Sequence, residues 1–114
     1  IIDVSATFRD ITGAKYPKEI LGKKTKPPLG KSLLPIFNGK QREPHKVIYW
    51  HFSRANAVRQ GDLKVVRAGK AWELYDLKAD PTETNNLAKE RPKKTAELAK
   101  MWEVWRQDYK NKPK

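Results

Sequence analysis

The sequence predicts an α+β domain, with about four antiparallel strands in its middle, a long C-terminal helix packed on one face of that sheet, and short helices at its N-terminal end. Three observations carry this. Residues 47–52, "VIYWHF", are β-branched or aromatic almost throughout, which suits a pleated, half-buried surface. The runs that follow are joined by connections of a few residues, too short for parallel crossovers. In the last segment Leu98, Met101, Trp102, Trp105 and Tyr109 recur at helical spacing, and the sheet is the one flat apolar partner available to that stripe.

The elements follow in order. In "IIDVSATFRDITG" the apolar residues Val4, Phe8 and Ile11 stand at i, i+4 and i+7, the spacing of a helix with one buried stripe, and Gly13 stands where a left-handed cap is wanted. From Ala14 to Lys31 the composition turns to Pro, Gly and Lys and reads as an exposed loop. "KSLLPIFNGK" offers Ser32 as an N-cap, Pro35 in the first turn and Gly39 as a stop, enough for one or two helical turns. In the strand at 47–52, Ile48, Trp50 and Phe52 share one face and Val47, Tyr49 and His51 the other. "NAVRQGDLKVVRA" reads as two strands joined across Gln60-Gly61-Asp62, and "AGKAWELYDL" repeats the device with Gly69. Asp80-Pro81 is expected to end the last strand, because Pro donates nothing to a ladder and Asp80 can accept its own downstream N–H groups. Pro92 opens the closing helix. By length, residues 1–114 form one domain, with a helical and loop lead-in over 1–45, the meander over 46–78, and the turn and helix over 79–114.

Composition bounds the function. Lys and Arg number 25 against 13 Asp and Glu, a net charge of +12 that attracts polyanions such as nucleic acid or a sulfated polymer. The charges are scattered along loops rather than interleaved with aromatics, which reads as a solvated surface more than as a nucleic-acid face. With no Cys, disulfides and thiolate metal sites are excluded. No apolar run is long enough for a membrane helix. The start at Ile1-Ile2-Asp3 reads as the middle of a longer polypeptide.

An active site needs a nucleophile, a metal or an acid–base pair. The two histidines, His45 and His51, lie in no metal-binding spacing, no Ser has nucleophile-elbow context, and there is no phosphate-binding glycine loop. The carboxylates fall at turns and caps. The tryptophans, at helical or strand spacing, read as core rather than as sugar or base platforms. One stretch stands apart: "WHFSRANAVRQGD" sets His51, Arg54, Asn56 and Arg59 around a strand end and its connection, where binding groups sit on a rigid scaffold. Their plainer reading is exposed edge residues.

In this order the segments "IIDVSATFRDITGAKYP", "GKSLLPIFNGK", "YWHFSRANAVRQGDLKVV" and "WELYDLKADPTETNNLA" together resemble the C-terminal part of a sulfatase of the arylsulfatase type, over nearly the whole chain. The resemblance implies a small subdomain docked on a large alkaline-phosphatase-like domain, absent here, that holds calcium and a formylglycine made in a C/S-x-P-x-R motif. It implies as partners that N-terminal catalytic domain of the same chain and a sulfated substrate, and export to the periplasm or beyond. Neither Cys nor S-x-P-x-R occurs, so no catalytic residue is carried over. Many relatives read Y-W-E-H-E-G-N-R-A where this chain runs Tyr49 to Ala57 as "YWHFSRANA", which implies altered substrate contacts. His51, Arg54, Asn56 and Arg59 are the expected substrate-binding residues. The competing expectations are a free-standing basic module for nucleic acid or a sulfated polyanion, and a docking domain for another protein.

Overall fold

The computed structural model describes residues 2–110; Ile1 and residues 111–114, the ends of the span read above, lie outside the described residues. By packing the chain forms two compact units, one up to Pro44 and one from His45 onward.

The first unit is held by polar contacts. Helix α1 covers Ile2–Thr12 as its spacing predicts, but the buried face is not the Val4-Phe8-Ile11 one. Ala6 and Thr7 are buried, while Val4, Phe8 and Ile11 are 47%, 63% and 56% exposed. The reason is the loop laid along the helix. Asp3 Oδ1 accepts the Lys31 N–H at 2.8 Å, and Thr7 Oγ1 accepts the Leu33 N–H at 2.9 Å while donating to the Asp3 carbonyl. Arg42 Nη1 donates to Asp3 Oδ2 and to the Lys31 carbonyl, both at 2.9 Å. Small and polar side chains let the backbones approach, so the apolar stripe stays on the surface.

The expected loop at 14–31 contains a small ribbon, β1 (Glu19–Ile20) paired with β2 (Lys23–Lys24). Its two-residue turn puts Leu21 at φ 50 and Gly22 at φ 75, the twist that tight hairpins favour. Helix α2 spans Leu34–Phe37 with Leu33, not Ser32, at its N-cap. Ser32 Oγ instead accepts the Leu34 N–H at 3.1 Å, a local side-chain turn just ahead of the helix.

The second unit is the predicted sheet and helix. Strands β3 (Val47–Phe52), β4 (Ala55–Gln60), β5 (Leu63–Arg67) and β6 (Glu73–Asp76) run in the order β3-β4-β5-β6, all antiparallel. Two-residue turns join the first three, with Ser53 at φ 52 and Gly61 at φ 59. The β5–β6 connection is five residues long, and Gly69 is not in the left-handed region there. Helix α3, Pro92–Lys110, lies on one face. Val58, Val65 and Leu74 from the sheet and Leu98 from the helix are fully buried, with Trp102 beside them. Val47, Tyr49, Leu63, Trp72, Met101 and Trp105 pack around this cluster. Tyr109, expected in the stripe, is 61% exposed. A helix of 19 residues runs roughly 28 Å, whereas four strands are about 15 Å across, so its last turns overrun the sheet.

Strand β6 ends at Asp76, four residues before Asp80. Asp76 Oδ1 accepts the N–H groups of Lys78 and Ala79, and this turn stops the strand. The open edge of β6 is then covered, because Leu87 donates to the Leu74 carbonyl and Asn86 Oδ1 accepts the Leu74 N–H. Asp80 organises the next loop: its carboxylate accepts the Asn85 N–H at 2.8 Å and the hydroxyls of Thr82 and Thr84. The backbone hydrogen bonds from Asn85 and Thr84 hold its pKa below the ordinary 3.8. A carboxylate with a depressed folded-state pKa adds stability above its unfolded value and loses it as pH falls through the folded one. Asp80→Ala is therefore expected to lower the Tm at pH 6, with the gap to the unsubstituted chain closing as melts are repeated at pH values progressively below 3.8; a gap independent of pH would contradict the assignment.

Candidate functional site

In an antiparallel meander, alternate connections lie at the same end. The β3–β4 turn (Ser53-Arg54) and the β5–β6 connection (68–72) therefore share one end of the sheet, and the β4–β5 turn (Gly61-Asp62) lies at the other. The four residues singled out from sequence divide accordingly. His51, Arg54 and Asn56 stand at the first end. Arg59 pairs with Ile48 and Lys64, on the sheet face away from α3, and its Nε donates to the Gly61 carbonyl at 2.9 Å. The structure does not bring Arg59 together with the other three.

His51 and Asn56 are direct cross-strand partners, and Asn56 is in turn opposite Arg67 on β5. The three form one row across three strands, on the helix side of the sheet. Asn56 is only 8% exposed, so its amide must be satisfied within the protein. Oriented to do so, its nitrogen donates to His51 Nδ1 at 2.8 Å and to the Ala55 carbonyl at 3.1 Å, and its oxygen accepts from Arg67 Nη2 at 3.2 Å. A neutral His51 accepting at Nδ1 carries its proton on Nε2, which makes that nitrogen a donor.

Aromatic rings fix the row in place. The Arg67 guanidinium lies 4.6 Å from the Trp72 ring centroid and 5.6 Å from that of Trp102. The His51 ring is 5.7 Å from Trp102, whose Nε1 donates to the Trp50 carbonyl at 2.9 Å. Stacked in this way, a guanidinium keeps its N–H edge available. Among the described residues no carboxylate pairs with Arg67. The nearest acidic position in register, Glu73, is paired opposite Val66 and accepts the Tyr75 hydroxyl at 2.9 Å. Arg54, Arg67 and Lys70 thus give this end of the sheet a cationic rim.

Arg67 and Trp72 were not picked out from sequence. The signal was present: once the turns at Ser53-Arg54 and Gly61-Asp62 are set, pairing places Arg67 level with Asn56 and His51. A groove of about 470 Å³ runs between α3 and β3 and is lined by Tyr49, Met101, Val104 and Trp105 among others. It is largely apolar and does not include the row. Among the described residues no group of three or more His, Cys, Asp or Glu side chains is placed to hold a metal ion.

Comparison with known proteins bears on this geometry. The sequence model of the family described as "N-sulphoglucosamine sulphohydrolase, C-terminal" matches residues 1–110. The chain is 30% identical to an N-acetylglucosamine-6-O-sulfatase of Bacteroides thetaiotaomicron, over 96% of this chain and 21% of that protein. It is 32% identical to a Delta 4,5-hexuronate-2-O-sulfatase of the same organism, over 86% of this chain and 21% of that one. A structure solved in complex with its substrate, D-glucosamine-2-N,6-O-disulfate, superposes with a TM-score of 0.66 at 31% identity, covering 97% of this chain and 24% of that one. The chain therefore spans about a fifth of the length of the curated relatives it matches.

Proposed function

The chain belongs to the N-sulphoglucosamine sulphohydrolase C-terminal family, that is, it is a sulfatase C-terminal domain, and from that premise we propose that its parent protein hydrolyses sulfate esters of a carbohydrate. The observation that carries this is the family match over residues 1–110 in a chain that spans only a fifth of its relatives. A sugar is favoured over a simple aryl sulfate because two of the curated relatives are named for sulfated sugars, and a structural relative holds one.

In this reading residues 1–45, 46–78 and 79–114 act as one C-terminal subdomain that completes the fold of a catalytic domain in the same polypeptide. Calcium and formylglycine belong to that domain, because the residues here do not fit them: the sequence has no Cys and no S-x-P-x-R, and no acidic cluster converges among the described residues. The chain's own part is to bind and orient. His51, through Nε2–H, and Arg54, through a planar fork suited to sulfate oxygens, contact the sugar or its substituents, while Asn56 fixes the His51 tautomer. Arg59, at the far end and on the other face, has no part in that contact.

The test is an assay of the full-length protein and of the isolated 114-residue chain on sulfated monosaccharides. Turnover by the full-length protein and none by the chain is the expected result. A full-length protein inert on every sulfate ester, or turnover by the isolated chain, would overturn the reading.

A further inference from the structure

We infer that Arg67 binds a second anionic group of the substrate, a sulfo or carboxylate substituent other than the ester being cleaved, and so selects sugars that carry at least two negative charges. This rests on the reading of the parent as a carbohydrate sulfatase and goes beyond it by naming the feature that is selected and the residue that selects it.

Three observations converge. Arg67 is a half-buried cation clamped between two indole rings and one amide oxygen, with no carboxylate partner among the described residues. Rings and an amide oxygen hold this cation in place without neutralising it, so its charge stays available to an anionic group. Its plane is also held before any ligand arrives. Stacking on Trp72 and the hydrogen bond to Asn56 fix the guanidinium, and one such bond leaves most of its five N–H donors for a ligand. Finally, the rim around it supplies only donors. Arg54 and Lys70 flank the row at the same end of the sheet, His51 adds Nε2–H, and the row itself contains no carboxylate. Donors and positive charge gathered without a carboxylate suit the holding of an anionic substituent. A sulfo group and a carboxylate each present a pair of oxygens that can accept two parallel N–H bonds from a guanidinium fork.

The experiment uses the full-length protein with Arg67→Ala and Arg67→Lys. Affinity for D-glucosamine-2-N,6-O-disulfate, D-glucosamine-6-sulfate and glucosamine is read by calorimetric titration, and kcat/KM is read on the two sulfated sugars. In Arg67→Ala the preference for the disulfated over the monosulfated sugar is expected to fall by about 10- to 100-fold, the scale of losing a charge-assisted hydrogen bond, mostly in KM. Arg67→Lys, which keeps the charge and the stem but not the fork, is expected to recover part of that preference. A parallel loss on both sugars, or a drop in Tm with the preference unchanged, would show that Arg67 only packs the sheet end and would overturn the inference. If the full-length protein cleaves no sulfate ester, the functional reading falls and the titration alone decides this one. Disulfate affinity lost in Arg67→Ala would then uphold it. Equal affinity in both proteins, or no binding of the disulfate by either, would reject it.

Discussion

Trp102→Ala is expected to cost the chain about 3–5 kcal/mol of stability, the range for removing a large buried aromatic side chain. Trp102 is only 7% exposed and packs against Trp72, Trp105 and His51 at ring separations between 5.7 and 6.4 Å. It lies in one cluster with Val58, Val65, Leu74 and Leu98, which are themselves fully buried, so the cavity cannot be filled by one neighbour turning inward. The indole N–H adds a directional component. It donates to the Trp50 carbonyl on edge strand β3, and without it that carbonyl loses its side-chain partner. Trp102→Phe separates the two contributions, since it keeps most of the ring and loses the hydrogen bond, for an expected cost of about 1–2 kcal/mol. Urea unfolding followed by circular dichroism measures both. A loss below about 1 kcal/mol for Trp102→Ala would mean that the helix is not sealed against the sheet. The same substitution strips one ring from Arg67 and one from His51, so the candidate site should loosen along with the core.

The helix–sheet unit was legible because local period and partner agree there. Residues 47–52 could bury only a flat face, Gly61 supplied the positive φ that the β4–β5 turn needs, and the stripe from Leu98 to Trp105 had a sheet of matching width beneath it. Where the period had no such partner, it misled. Val4, Phe8 and Ile11 mark a real helical face, but spacing alone does not say which face its own unit uses, and Asp3 and Thr7 took the loop to the other side. Tyr109 kept the period after the sheet had ended. Asp80 has the composition of a strand terminator, yet the terminating carboxylate is Asp76, because a turn is closed by whichever carboxylate first reaches the N–H groups beyond it. The site was half visible for a related reason. His51, Arg54 and Asn56 are neighbours in sequence, and Arg67 joins them only through strand pairing.

Gly30→Ala is the other substitution expected to act strongly, and it should act on the first unit alone. A Cβ at residue 30 would lie 2.0 Å from the Ile2 carbonyl oxygen, 2.8 Å from its carbon and 3.3 Å from the Ala6 Cβ. The first two are backbone atoms in the opening turn of α1, so no side-chain rotation relieves the clash; helix and loop must separate by about an ångström or more to reach ordinary contact. That displacement is enough to break hydrogen bonds now at 2.8–2.9 Å: Lys31 N–H to Asp3, Leu33 N–H to Thr7, and Arg42 to Asp3. Overpacking of this kind costs about 1–3 kcal/mol, and each hydrogen bond lost adds about 1, so a total of roughly 3 kcal/mol or more is expected. Native-state hydrogen exchange resolves where it falls. The Lys31 and Leu33 amides should exchange about 100-fold faster, as 3 kcal/mol implies at a factor of ten per 1.4. The amides of Val58 and Val65 should not change, because the core they belong to is built entirely from residues 47 to 105. Unchanged protection at Lys31 and Leu33 would show that the close approach of Gly30 to α1 is not needed for this packing; equal losses in both units would show that they unfold as one.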